Sequence, residues 1–181
     1  QVLRYLRDNF FFFFQETAKL MSDMDVYDIM NKEAEKVPAG SEGLIVLPYL
    51  AGERTVLWDA KARGTIFGLS TRHTKGHLIR AFMEGVAYAL YDNYRLMLEK
   101  GIKANAPIIL NEGGAKSRLW RRIITDVFNV PTALVENRVG APYGDAILAG
   151  VSAGVWKDFS IAKEKVNYID YMEPDKKAHE M

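Results

Sequence analysis

Three stretches of the chain combine residue types and spacings that could do chemistry. The first is Ile108-Ile109-Leu110-Asn111-Glu112-Gly113-Gly114-Ala115-Lys116-Ser117. An apolar run enters two glycines and leaves through a serine that suits a helix N-cap. Glycines there let the backbone turn tightly with nothing projecting, so a flat ligand or a phosphate can approach the peptide groups. The following helix start offers unpaired N–H groups and the positive end of its dipole. Taken alone, the same pattern describes a plain strand-to-helix connector at least as well, because it is neither a Walker loop nor a dinucleotide fingerprint.

The second stretch runs from Gly140 through Ala141, Pro142, Tyr143, Gly144 and Asp145 to Gly150. Ala146, Ala149 or Gly150, and Ala153 put small side chains on one helical face, which lets a partner helix approach closely or packs tightly within one core. The third is Gly64-Thr65-Ile66-Phe67-Gly68-Leu69, followed after seven residues by His77-Leu78-Ile79-Arg80-Ala81-Phe82-Met83-Glu84. Glu84 lies in the most apolar part of its helix and needs a partner there. Arg80, one turn earlier, is the expected one, in preference to a catalytic role for the acid.

The elements that must position these residues follow from periodicity. The spacing of Tyr27, Met30, Ala34 and Val37 predicts a helix over 27–37 stopped by Pro38-Ala39-Gly40. Strands are predicted over 44–47, 65–69, 107–110 and 132–135, and Asp59 is expected to cap one helical turn that Gly64 ends. The longest helix is predicted over 74–100, from an N-cap at Thr74 to Gly101. A helix over 117–128 carries a stripe of Leu119, Trp120, Ile123, Ile124, Val127 and Phe128, and another spans 142–153 with Pro142 in its first turn. Alternating strands and helices predict an α/β domain with parallel neighbours in its sheet. The run Phe10–Phe14 is expected to form a buried strand or a domain contact.

Bulk properties exclude several function classes. Lys plus Arg (24) nearly balances Asp plus Glu (23), so there is no global charge to draw nucleic acid or an anionic membrane. The chain has no cysteine, which excludes disulfides and thiolate metal sites, and three scattered histidines argue against a histidine-rich one. A cytoplasmic location is the simplest expectation. The aromatic run is far short of the ~20 residues that a membrane helix needs. The chain opens on Gln1 rather than Met, as an excised domain would.

Together the motifs resemble the FGGY family of carbohydrate kinases. PYLAGERT followed by LWD and ARG, over 48–64, looks like the segment that leads into the family's second signature. GTIFGLSTRHTKGHLIRAFMEG is similar to that signature, departing at Phe82, where a smaller residue is usual. NEGGAKSRLWRRIITDVFNVP looks like the adenosine motif, with Glu112 in place of the first glycine of the commoner triple-glycine form. GAPYGDAILAG resembles the second connecting motif, whose helix packs at the hinge between two domains.

The resemblance implies a ribonuclease H-like fold of the actin and hexokinase type, with a mixed sheet flanked by helices and lacking its first hairpin. It divides the chain into a loosely matched segment 1–41, a C-terminal-domain core 42–155 and an extension 156–181. It implies that Gly113, Gly114 and Ala115 lie against the adenosine of ATP, with Lys116 and Ser117 beside it at the helix start. Gly140, Ala141 and Gly144 would belong to the hinge helix. ATP and Mg²⁺ are the implied cofactors. The sugar or polyol substrate would be bound mainly by an N-terminal domain, and a homodimer is an expectation.

No D-x-G-T-type phosphate loop, junction aspartate or Gly/Thr-rich hairpin is found in the sequence. Those parts supply phosphate contacts, the metal carboxylate and the base in this family, so no catalytic residue and no metal ligand is assigned. The chain alone is therefore expected to be inactive. Competing readings are a regulatory or binding module that keeps the fold without phosphotransfer, and an actin- or chaperone-like ATPase. Against the latter stand GLIVLPYLAGERT and GTIFGLS, which look specific to sugar kinases.

Overall fold

The structure is a computed structural model that describes residues 1–21, 24–111, 113–136 and 140–181. Its organising element is α4 (Lys75–Glu99), the longest helix. Thr74 starts it, with its N–H donating to His77 Nδ1 at 3.1 Å. Around its N-terminal half pack α1 (Val2–Asn9), α3 (Val26–Glu35), β1 (Ile45–Leu47) and α5 (Arg118–Phe128). The core they enclose contains Leu6, Met30, Ala34, Val46, Ile79, Met83, Ala87 and Ile123. Burial of such side chains is the main favourable term in folding, about 1.5–3 kcal/mol for each large one.

The Phe10–Phe14 run corrects the expectation of a strand. Phe10 closes α1, and Phe12 opens a second helix, α2 (Phe12–Leu20). Phe11 and Phe14 are buried while Phe12 and Phe13 are exposed, a three-residue spacing that suits one helical face. A strand would instead have buried alternate rings. The segment Gln15–Leu20 is rich in helix formers, and the core under α3 supplies the surface that Phe11 and Phe14 cover. Aromatic strand preference yields to that tertiary context.

Two small sheets flank the helices. In the first, β1 pairs antiparallel with β2 (Thr65–Phe67), with Val46 opposite Ile66. In the second, β3 (Ile108–Ile109) runs parallel to β4 (Thr132–Val135), as the alternation predicts. An unpredicted strand, β5 (Tyr168–Met172), then pairs antiparallel with β4 and makes the sheet mixed. The remaining helices are α6 (Ala141–Ser152), α7 (Ile161–Lys165) and α8 (Lys176–His179). Within the 156–181 extension, Tyr168–Met172 thus adds a third strand to this sheet.

The loop between β1 and β2 departs from the expected helical turn. Asp59 Oδ1 accepts the Lys61 N–H at 2.7 Å, but only a simple turn follows. Glu53 organises the rest. Its carboxylate accepts the N–H groups of Thr55 (2.8 Å), Leu57 (2.6 Å), Val56 and Trp58 (each 3.2 Å). The Thr55 N–H foremost, with the other three donors, holds this carboxyl below its ordinary value of 4.5. A depressed carboxyl contributes stability above its unfolded pKa and loses it as pH falls through the folded one. Protection of the 55–58 amides, taken relative to their intrinsic exchange rate at each pH, is therefore expected to persist down to the ordinary carboxyl value of 4.5 and to be lost as pH falls further. In Glu53→Gln the exchange should be fast throughout; a wild-type profile in that variant would contradict this account of the loop.

Candidate functional site

The predicted glycine turn folds as a 3-10 turn over Gly113–Lys116, directly between β3 and α5. Ser117 caps α5, its Oγ accepting the Trp120 N–H at 3.1 Å. Asn129 ends the same helix in a left-handed conformation, as predicted. The β3–turn–α5 unit is fixed from below by Leu119 and Ile123, which are buried in the core. From the side, the Trp120 indole N–H donates to Met83 O of α4 at 3.2 Å.

This turn forms one wall of a cavity of about 600 Å³. Gly113, Gly114, Lys116 and Ser117 line it, together with Trp120. The opposite wall comes from α1, through Leu3 and Arg4, and from the start of α3, through Asp25, Tyr27, Asp28 and Asn31. A side chain added at Gly113 would meet open space, and one at Gly114 would stand 3.6 Å from the Trp120 ring. The volume lies within the ~300–1,000 Å³ of small-molecule and cofactor sites.

Electrostatics limit what the cavity suits. Arg4 and Lys116 are countered by Asp25 and Asp28, so the lining is mixed and does not form a cationic polyphosphate cradle. A planar, uncharged group with hydrogen-bonding edges matches such a wall, and Tyr27 and Trp120 add aromatic surface. The Tyr27 hydroxyl is held by Arg7 Nη1 at 3.1 Å. Among the described residues no group of three or more His, Asp or Glu converges as a metal site.

Of the predicted site residues, Ala115 is buried beneath the turn and does not line the cavity. Glu112 lies outside the described residues. Gly140, Ala141 and Gly144 sit at the start of α6, and none of them lines the cavity either. Gly140 caps that helix at φ 70°, ψ −137°, a conformation that glycine alone adopts readily. In α6 only Ile147 is buried, and Ala146, Ala149 and Ala153 are exposed. The Gly150 end of this small-residue face is covered by Trp156 of the same chain, whose ring lies 2.4 Å from where a Gly150 Cβ would stand.

Sequence reasoning missed Arg4, Asp25, Tyr27, Asp28 and Asn31. They reach the turn from more than eighty residues away in the chain, and no local pattern marks them. In the structure Asp25 caps α3, accepting the Tyr27 N–H at 2.8 Å.

Comparisons with known proteins agree with this architecture. Residues 1–153 match the description "FGGY family of carbohydrate kinases, C-terminal domain". The chain is 37% identical over 165 residues to a gluconokinase of Bacillus licheniformis, covering 91% of this chain and 32% of that protein. It is 37% identical over 155 residues to a xylulose kinase of Staphylococcus epidermidis, covering 85% of this chain and 31% of the relative. The crystal structure of ligand-bound xylulose kinase from Lactobacillus acidophilus superposes with a TM-score of 0.80 at 29% identity, covering 99% of this chain and 34% of that one. The chain thus spans about a third of the length of the relatives it matches. The fold is that of the actin and hexokinase-like kinases, α/β with a mixed sheet. A matched span of 153 residues, the shared fold and the β3–turn–α5 unit together show that the chain belongs to the FGGY family of carbohydrate kinases and carries their C-terminal domain.

Proposed function

We propose that this chain is the ATP-side domain of a kinase that transfers the γ-phosphate of ATP to a hydroxyl of a sugar or polyol. The observation that carries the reading is the cavity in which Gly113, Gly114, Lys116 and Ser117 face α1 and α3. It takes the adenosine end of ATP. The glycines leave room for a ring to lie against the backbone, and the mixed charge of the wall suits a nucleoside better than its phosphates. Gluconate, xylulose and glycerol, the substrates named for relatives, set the class of acceptor.

The triphosphate and its Mg²⁺ extend toward groups from an N-terminal domain that also binds the acceptor. Phosphoryl transfer needs phosphate donors, a metal carboxylate and a base for the attacking hydroxyl, and these fall to the N-terminal domain. Ile45, Leu47 and Phe67, exposed on the outer face of the β1–β2 ladder, supply apolar surface of the kind another domain covers. Gly140, Ala141 and Gly144 open the helix on which that domain would hinge.

A coupled assay with ATP, Mg²⁺ and a panel of gluconate, xylulose and glycerol tests the division of labour. The 181-residue chain is expected to show no sugar-dependent ATP consumption. The polypeptide that adds the N-terminal domain is expected to turn over at least one member of the panel. Turnover by the chain alone would contradict the proposal.

A further inference from the structure

The cavity wall contains a polarised hydrogen-bond relay that the glycine turn does not explain. Ser117 Oγ accepts from the Trp120 N–H at 3.1 Å and donates to Asn31 Oδ1 at 2.9 Å, linking residues 86 positions apart. A hydroxyl has one proton to give, and here it goes to the asparagine oxygen. The Asn31 amide accordingly sits with its oxygen toward that hydroxyl. Its oxygen is occupied, and its Nδ2 takes part in none of the side-chain hydrogen bonds among the described residues. Asn31 is partly buried and lines the cavity on the same face of α3 as Tyr27 and Asp28, one turn earlier.

We infer that Asn31 reads the base: its Nδ2–H donates to a ring-nitrogen acceptor of a purine lying in the cavity. The inference rests on the nucleotide reading of the cavity given above. A fixed amide donor recognises an acceptor edge, and Asp25 and Asp28 on the same helix repel a polyphosphate from that end. Ser117 is then a positioning residue, holding the amide so that the donor rather than the acceptor faces the ligand. Specificity of this kind comes from hydrogen-bonding groups that are left unpaired when the wrong ligand binds.

Calorimetric titration of the chain with ATP and with its 1-deaza, 3-deaza and 7-deaza analogues, each lacking one ring acceptor, tests this. Wild type is expected to bind one of the three about 10-fold more weakly than ATP, the loss of one hydrogen bond of ~1.4 kcal/mol. Asn31→Asp keeps an acceptor for Ser117 but removes the donor, and Asn31→Leu removes both without adding charge. Both variants are expected to bind ATP about 10-fold or more weakly and to treat ATP and the three analogues alike. Equal binding of ATP and all three analogues by wild type would overturn the inference, as would wild-type discrimination in both variants. Gly114→Leu, which fills the cavity, separates the two readings. If it leaves ATP affinity unchanged, or if wild type binds no ATP, the nucleotide reading itself fails. If it abolishes binding while the Asn31 variants are neutral, only base reading by Asn31 fails.

Discussion

Replacing Glu84 by alanine is expected to lower the unfolding free energy by about 3–5 kcal/mol, the cost of breaking one partner out of a buried ion pair. Glu84 is 4% exposed and Arg80 is 9% exposed. Arg80 Nε donates to Glu84 Oε1 at 2.8 Å, and Arg80 Nη1 donates to Val37 O at 2.8 Å. The carboxylate also accepts the Gly40 N–H at 3.0 Å and the Ser41 hydroxyl at 2.7 Å. Those last two bonds reach an unusual turn, in which Gly40, Ser41, Glu42 and Gly43 have φ of 76°, 47°, 51° and 87°. Left-handed backbone costs a non-glycine residue roughly 1–2 kcal/mol, so Ser41 and Glu42 stay there only while something holds them. Glu84 is that clamp, which is a structural role and not that of a catalytic acid.

Urea melts of two variants would check this. Glu84→Ala should show the full loss, because a buried guanidinium, a serine hydroxyl and an amide are left short of partners. Replacing the pair together, Glu84→Leu with Arg80→Met, should recover part of it, since no charge is then stranded. A loss under ~1 kcal/mol for Glu84→Ala would place the pair among weak surface ion pairs and refute the clamp.

The second large effect has a sign opposite to helix propensity. Gly85 lies inside α4, where alanine ordinarily improves on glycine by about 1 kcal/mol. Here a Cβ would stand 2.3 Å from Val46 O and 3.1 Å from Val46 C, both backbone atoms of β1. Neither can swing aside, so the strand must move off the helix. Gly85→Ala is expected to destabilise by about 2–3 kcal/mol through overpacking. Gly144, in α6, is the internal control, because its Cβ would meet nothing within 4 Å. Gly144→Ala should be neutral or stabilising by up to ~1 kcal/mol. Thermal melts of the two variants that shift in the same direction would contradict the packing of α4 on β1.

That contrast also shows where sequence reading stopped. The ends of α4 and α5 were legible because caps are local: Thr74, Ser117 and Asn129 act within a few residues of themselves. The Arg80–Glu84 pair was legible because one helical turn separates its members. What the pair holds was not, since the clamp on Gly40 and Ser41 spans more than forty residues. Pro38-Ala39-Gly40 reads as a helix stop, and it is one; the left-handed run after it is set by Glu84. The tight contact at Gly85, like that of Gly76 against the Glu33 backbone in the same helix, is invisible in the sequence because its partner lies in another element.

The same division runs through the candidate site. The glycine turn and its serine cap could be read directly, and the order of the motifs implied the nucleotide role proposed for them. The opposite wall could not be read, because Asn31 and Tyr27 announce only an amphipathic helix. Strand β5 escaped notice for a related reason. Asp170, within it, is left-handed at φ 52°, and its register with β4 shifts between Thr132 and Leu134, so no clean alternation marks it.

In the proposed site the adenosine of ATP sits between the Gly113–Lys116 turn and the Tyr27–Asn31 face of α3. A crystal structure of the protein with ADP tests it most directly. The adenine ring is expected in the cavity of about 600 Å³, against Gly113 and Gly114 and within hydrogen-bond reach of Asn31. Adenine bound elsewhere on the domain, with this cavity filled only by solvent, would contradict it.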